Sequence, residues 1–148
     1  MLYFAYTARI APAQMAEVAP GAEFRFIAHL PQWTITFPIY DEEWNGGLPS
    51  VEPADGQTVW GAVFEIPDVE LEALHAAEAA EQRVPVTTEA MDRMGKRHEV
   101  LLHRHDGSGD GEYAPSGPYL GLMVAGSRHW ELPIGWIAGL EEHLATAK

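Results

Sequence analysis

The sequence predicts an α+β fold, in which a curved or barrel-like sheet packs against outer helices. Stretches with strand patterns greatly outnumber the helices that could connect parallel strands, and this excludes an ordinary doubly wound sheet. The 148 residues contain no internal repeat and no linker, and 47% of them are hydrophobic, which suffices for a real core. We therefore expect a single domain over residues 1–148.

The first strand is predicted to be central. Residues 2–6 read Leu-Tyr-Phe-Ala-Tyr, an unbroken apolar and aromatic run that is typical of a strand buried on both faces. Thr7, Ala8 and Arg9 follow as small or polar residues and predict a bend at the end of this strand. The end of a rigid strand is a common position for a functional site.

Two hairpins are predicted next. Residues 22–30 alternate apolar and polar side chains, and residues 33–37 are the expected partner strand across Pro31-Gln32. Further along, Asp55-Gly56 is a strong hairpin signal between the predicted strand segments 51–53 and 58–66, the second of which is nearly all apolar.

The remaining elements are predicted from start and stop signals. Trp44-Asn45-Gly46-Gly47 indicates a turn-rich segment. Helices are expected at 13–18, from Asp68 as N-cap to about 82, at 118–126 after the N-cap Ser116, and at 134–144 after Pro133. Two more strands are expected at 84–89 and 97–104, around a turn near Gly95.

Glu78 is the informative charged residue. On the helix from Asp68, positions 71, 74 and 78 follow the spacing of one face, so Glu78 shares the stripe of Leu71 and Leu74. A carboxylate that points inward is expected to have a raised pKa, which suits a general base or acid near neutral pH. The alternative is that Glu78 is solvated, as most glutamates are.

The composition excludes several function classes. There are no cysteines, and this rules out thiol catalysis, disulfides and thiolate metal sites. The formal charge of −13 repels phosphate backbones and anionic lipid, so nucleic acid and membrane are poor candidates as partners. No apolar run approaches the ~20 residues of a bilayer span, and no secretory signal is recognisable. A cytoplasmic location is expected.

Two weaker signals concern metals. His98, His103 and His105 lie close in sequence, but without a recognised ligand spacing we expect surface histidines rather than a metal site. Residues 106–111 mimic the start of a calcium loop, yet position twelve would be Gly117 instead of a glutamate, so a flexible turn is expected. No metal and no cofactor are predicted.

Several motifs together resemble the gamma-glutamylcyclotransferase-like family. The opening Tyr3-Phe4-Ala5-Tyr6 is similar to the family's Tyr-Phe-Ala-Tyr-Gly-Ser-Asn-Leu segment, and the similarity continues in order along nearly the whole chain. The further matching segments are Trp44 to Gly47, Val59 to Ile66, Leu71 to Glu78, Pro115 to Leu120, and Leu132-Pro133.

The resemblance implies a small mixed β-barrel with flanking helices, and an intramolecular cyclisation of a γ-glutamyl compound to 5-oxoproline with release of an amine. It also implies that the partner is a small-molecule γ-glutamyl substrate and that the protein is a monomer or homodimer. Glu78 matches the catalytic glutamate, which acts as base and acid. The implied substrate-binding residues are Tyr6, Thr7, Ala8, Arg9 and Ile10, through backbone N–H groups, and Tyr119 as a pocket wall.

The bend departs from the family pattern. Thr7, Ala8 and Arg9 stand where the family has Gly-Ser-Asn, and Ala79 stands where it has glycine. Arginine adds a guanidinium that can clamp a carboxylate. Two functions are therefore considered: an enzyme of the gamma-glutamylcyclotransferase type, and a non-catalytic or substrate-divergent homologue that binds a small carboxylate or amine metabolite.

Overall fold

Five strands close into a barrel in the computed structural model, which describes residues 1–107 and 111–146. The strands are β1 (Leu2–Ala5), β2 (Glu23–Asp41), β3 (Gly46–Glu65), β4 (Arg83–Asp92) and β5 (Arg97–His105). The helices are α1 (Pro12–Val18), α2 (Asp68–Ala80), α3 (Gly117–His129) and α4 (Ile134–Thr146). The α+β class and the mixed barrel predicted above are confirmed.

The order of strands around the barrel is β1, β3, β2, β4, β5. Neighbouring strands are antiparallel except at the closing pair, where β1 runs parallel to β5 and Tyr3 is opposite Leu101. β1 thus has a neighbour on each side, and its residues from Tyr3 to Ala5 are buried. The prediction of a central first strand is confirmed.

The two predicted hairpins are wrong. β2 and β3 are continuous strands that pair with each other over most of their length, with Pro31 opposite Thr58 and Trp33 opposite Pro53. The turn-forming residues make a bulge between these pairs, where Gln32 has φ 67° and Gly56 has φ 79°. The Gly56 N–H donates to the Gln32 side-chain oxygen at 2.6 Å, which joins the two bulged segments without reversing either strand.

The chain reverses instead between β2 and β3, in the segment that was predicted as turn-rich. Residues 42–45 form the turn, and Asn45 adopts φ 56°, a left-handed conformation that asparagine tolerates. Strand β3 then begins at Gly46, inside the segment that was expected to be irregular.

The helices begin close to their predicted positions. Ser116 caps α3, with its Oγ accepting from the Tyr119 N–H. Asp68 is the first residue of α2, while Pro67 holds the N-cap position that was predicted for Asp68. Of the predicted turn at 106–111, residues 108–110 lie outside the described residues.

The bend after β1 is a short 3₁₀ turn, Ala8–Ile10, against which α3 packs closely. Gly126 makes this approach feasible, because a Cβ at that position would lie 2.6 Å from Cγ2 of Ile10 and 2.7 Å from the amide nitrogen of Ala11. The same helix carries Tyr119 to the bend.

Within the described residues, no helix combines the length and the apolar character that a membrane span needs.

Candidate functional site

Glu78 lies on the inner face of α2, and its side chain has no exposed surface. Leu74, one turn earlier, is the other fully buried residue of this helix. The inward orientation predicted from the leucine spacing is confirmed, and the alternative of a solvated Glu78 is wrong.

Three side chains donate hydrogen bonds to the Glu78 carboxylate. Oε1 accepts from the Tyr3 hydroxyl and from Nη1 of Arg9, both at 2.9 Å, and Oε2 accepts from Nη1 of Arg83 at 2.9 Å. Tyr3 comes from β1, Arg9 from the 3₁₀ turn, and Arg83 is the first residue of β4. The barrel and the bend therefore hold both carboxylate oxygens.

Glu81, at the C-cap of α2, contacts the same two arginines. Its Oε1 accepts from Nη1 of Arg9 at 2.9 Å and from Nη1 of Arg83 at 2.6 Å. Arg9, Glu78, Glu81 and Arg83 form what we call the ion-pair cluster, whose two positive and two negative charges balance. Nε of Arg83 also donates to the Pro49 carbonyl at 2.8 Å.

The expectation of a raised pKa at Glu78 is wrong. Burial by itself raises the pKa of this carboxyl, but the guanidinium groups of Arg83 and Arg9 outweigh burial and hold the pKa below its usual value. The same interaction raises the pKa of both arginines, although burial acts in the opposite direction. Glu78 is therefore ionised at neutral pH.

The backbone N–H groups of the bend are bonded within the protein. The N–H of Ala8 donates to the Tyr119 hydroxyl at 3.2 Å, that of Arg9 to Oγ1 of Thr7 at 3.2 Å, and that of Ile10 to the Thr7 carbonyl at 3.0 Å. A ligand that used these donors would have to displace one of those oxygens. Among the predicted binding residues, Arg9 alone bonds directly to Glu78.

Tyr6 and Tyr119 are both buried near the bend. The Tyr6 hydroxyl donates to the His103 carbonyl at 2.5 Å, and the Tyr119 ring packs edge-on against Trp44 with ring centroids 5.2 Å apart. Burial raises the pKa of both tyrosines, so both hydroxyls are neutral hydrogen-bonding groups.

A cavity of about 430 Å³ opens beside the ion-pair cluster. Arg9 and Glu81 line it, whereas Glu78 does not. The other lining residues are Ile39, Tyr40, Asp41, Glu42, Glu43, Trp44, Leu48, Ala77, Ala80 and Gln82. The carboxylates of Asp41, Glu42, Glu43 and Glu81 line this cavity together with the guanidinium of Arg9, so among the described residues Arg9 is the one lining group with the charge to bind a ligand carboxylate.

A histidine pair lies close to Tyr3, one of the residues that bond Glu78. Nδ1 of His75 and Nε2 of His103 are 2.8 Å apart, and the His103 ring is 5.8 Å from that of Tyr3. His103 is 1% exposed, so its predicted surface position is wrong. Burial lowers the pKa of His103 to about 4. Within the residues that the structure describes, no three His, Cys, Asp or Glu side chains are arranged to hold a metal.

The sequence analysis did not identify Tyr3, Glu81 and Arg83 as parts of the site. Glu81 follows Glu78 by three residues, so their shared helix face could have suggested a pair. Arg83 carries no comparable signal, because it is the first residue of β4, just after the short connection from α2, and its burial depends on the barrel. Tyr3 was predicted as a core residue, which is correct, but its hydroxyl also bonds Glu78.

Comparison with known proteins gives a consistent result. No protein-family model matches the sequence. The bovine protein named gamma-glutamylcyclotransferase is 23% identical over 137 residues, which cover 90% of this chain and 73% of that protein. The mouse protein of the same name is 24% identical over 136 residues, covering 89% and 72%. A solved structure described as a gamma-glutamyl cyclotransferase superposes with a TM-score of 0.90 at 21% identity, covering 95% of this chain and 86% of the other.

The architecture is thus the barrel fold of the gamma-glutamylcyclotransferases. Relatives of that name align along about nine tenths of the chain at 23–24% identity, so the chain is similar in sequence to gamma-glutamylcyclotransferases.

Proposed function

We propose that the protein is an enzyme of the gamma-glutamylcyclotransferase type, which cyclises a small γ-glutamyl amine or γ-glutamyl amino acid to 5-oxoproline and releases the amine. The observation that carries this proposal is the buried Glu78 carboxylate, held in its ionised form beside a cavity of small-molecule size. The bovine and mouse relatives named gamma-glutamylcyclotransferase support the reaction type.

The proposed reaction needs one group that moves protons. The substrate's α-amine attacks its own γ-carbonyl carbon, a ring C–N bond forms, and the original amide C–N bond breaks. Glu78 takes a proton from the α-ammonium, the attacking nitrogen gives up a second proton as it becomes the ring amide, and both protons pass to the departing nitrogen, which leaves as an ammonium. Ring closure is favoured by proximity, so the protein mainly has to hold the substrate folded and manage the proton.

Arg9 has a second role in this scheme. Its guanidinium, which already bonds Glu78 and Glu81, is the proposed binding group for a carboxylate of the substrate. The other proposed substrate-binding residues do not line the cavity of about 430 Å³: Tyr6, Thr7, Ala8, Ile10 and Tyr119.

A second candidate is a binding protein that lacks this catalysis. Both oxygens of Glu78 are already bonded, and Glu78 does not line the cavity. A permanently paired carboxylate would be structural, and the cavity would then hold a small carboxylate or amine metabolite without chemistry.

The two candidate functions differ in whether 5-oxoproline is formed. Purified protein is incubated with a panel of γ-glutamyl amines, γ-glutamyl amino acids and glutathione, and 5-oxoproline is measured by mass spectrometry. The enzyme releases 5-oxoproline from at least one compound, Glu78→Gln does not, and Glu72→Gln, which loses an exposed charge of the same helix, matches wild type. Equal release by wild type and Glu78→Gln, or no release from any compound, contradicts the enzyme.

A further inference from the structure

The ion-pair cluster contains two carboxylates that share two guanidiniums, and these two carboxylates differ in their exposure to solvent. The Glu78 side chain is 0% exposed, whereas that of Glu81 is 18% exposed and lines the cavity. Glu81 also lies at the C-cap of α2, where the helix dipole disfavours a negative charge. Glu81 can turn into water, and Glu78 cannot.

Arg83 provides an independent observation. Its side chain is fully buried, and among the described residues its Nη2 has no hydrogen-bond partner. A buried N–H group is normally bonded, so Nη2 is a donor still available to an acceptor that takes the place of Glu81, although Arg83 itself does not line the cavity. Glu81 contacts the two guanidiniums through Oε1 alone, while an incoming carboxylate brings two oxygens.

We propose that the guanidiniums of Arg9 and Arg83 form a carboxylate-binding subsite, and that Glu81 is its internal occupant, which the carboxylate of a ligand replaces. The exchange keeps the cluster neutral, because one negative charge enters as another turns outward. A ligand that simply added to the cluster would leave an uncompensated charge next to Glu78, which is costly in a buried site. Glu81 is therefore a specificity-determining residue, which selects ligands that carry a carboxylate. The inference rests on the proposed function for the identity of the ligand, a γ-glutamyl compound.

The test uses a ligand that binds without reacting. N-Acetyl-L-glutamine keeps the carboxylate and the γ-amide of a γ-glutamyl compound, but its blocked amine cannot cyclise. N-Acetyl-L-glutaminamide lacks the carboxylate and is the matched control ligand. Affinities are measured by calorimetry for wild type, Glu81→Gln, Glu81→Ala and Glu72→Gln, and thermal unfolding verifies that each variant is folded.

Removal of the Glu81 carboxylate raises the fraction of protein in which the Arg9–Arg83 subsite is open to a ligand. If Glu81 occupies the subsite about nine tenths of the time, both Glu81 variants bind N-acetyl-L-glutamine about tenfold more tightly. Glu72→Gln is expected to match wild type, and the amide ligand is expected to gain nothing from the Glu81 substitutions.

Three outcomes overturn the inference: unchanged or weaker binding in folded Glu81 variants, an equal gain for the amide ligand, or no binding of N-acetyl-L-glutamine to any variant. Failure of the proposed reaction is recognised separately, by the absence of 5-oxoproline from wild type. Tighter carboxylate binding in the Glu81 variants together with no 5-oxoproline would leave the subsite in place in a protein without catalysis.

Discussion

Replacement of Arg83 by methionine removes a buried cation while keeping a side chain of similar length. The variant loses the bonds from Arg83 to Glu78, Glu81 and the Pro49 carbonyl. Breaking a buried ion pair costs about 3–5 kcal/mol, because the remaining charge is uncompensated. Arg9 still bonds Glu78, so we take the lower end, about 3 kcal/mol, and add about 1 kcal/mol for a carbonyl left without its donor.

Arg83→Met is therefore expected to lower the free energy of unfolding by about 4 kcal/mol near neutral pH. The loss shrinks in mildly acidic solution, because Arg83 is the strongest of the groups that lower the pKa of Glu78, and without Arg83 this carboxyl takes up a proton more readily. Urea unfolding of wild type and Arg83→Met at several pH values measures both effects.

Arg128 provides the matched control, since its ion pair with Glu141 is on the surface, with side chains 57% and 44% exposed. Arg128→Met is expected to cost at most about 1 kcal/mol. The double variant Glu78→Gln/Arg83→Met should be more stable than Arg83→Met alone, because it also lacks the Glu78 charge that Arg83 compensates. Equal destabilisation by Arg83→Met and Arg128→Met would refute this account of the cluster.

Two further predictions concern other parts of the site. His103 is neutral in the folded protein with a pKa of about 4, against an ordinary value of 6.5, so stability falls as the pH drops from 6.5 towards 4. At about pH 5 this histidine is expected to lower the free energy of unfolding by about 2 kcal/mol. Urea unfolding at several pH values should show that this decrease disappears in His103→Gln. An unchanged pH dependence in the variant contradicts the prediction. Gly126→Ala forces a methyl group against Ile10 and is expected to cost about 1–3 kcal/mol and to reduce ligand binding. Gly121→Ala, in the same helix but with open space around the new methyl group, should be neutral or stabilising by up to about 1 kcal/mol, and thermal unfolding of both variants compares them.

Sequence reasoning was most successful where one local pattern decided the structure. The apolar run of β1 required burial on both faces, and the spacing of Leu74 and Glu78 required that both point inward. These consequences depend on few neighbours, so they could be derived without knowledge of the fold.

Sequence-based prediction failed where contacts between distant parts of the chain determine the structure. Asp55-Gly56 and Pro31-Gln32 are true turn-forming pairs, but they oppose each other across the sheet and form a bulge within paired strands. The pKa of Glu78 depends on Arg9 and on Arg83, which the barrel brings together from separate elements. Neither the register of two long strands nor the charge around a buried group follows from periodicity.

The parallel pairing of β1 with β5 has a consequence for folding kinetics. Tyr3 is opposite Leu101, so the barrel closes through a contact between the first and the last strand of the sheet. Contacts between segments far apart in sequence carry a large loop-closure entropy and tend to form slowly. Since β1 also supplies the Tyr3 hydroxyl to Glu78, the complete site assembles only when the barrel closes. Ligand binding during refolding would therefore report barrel closure, later than the formation of the β2–β3 ribbon.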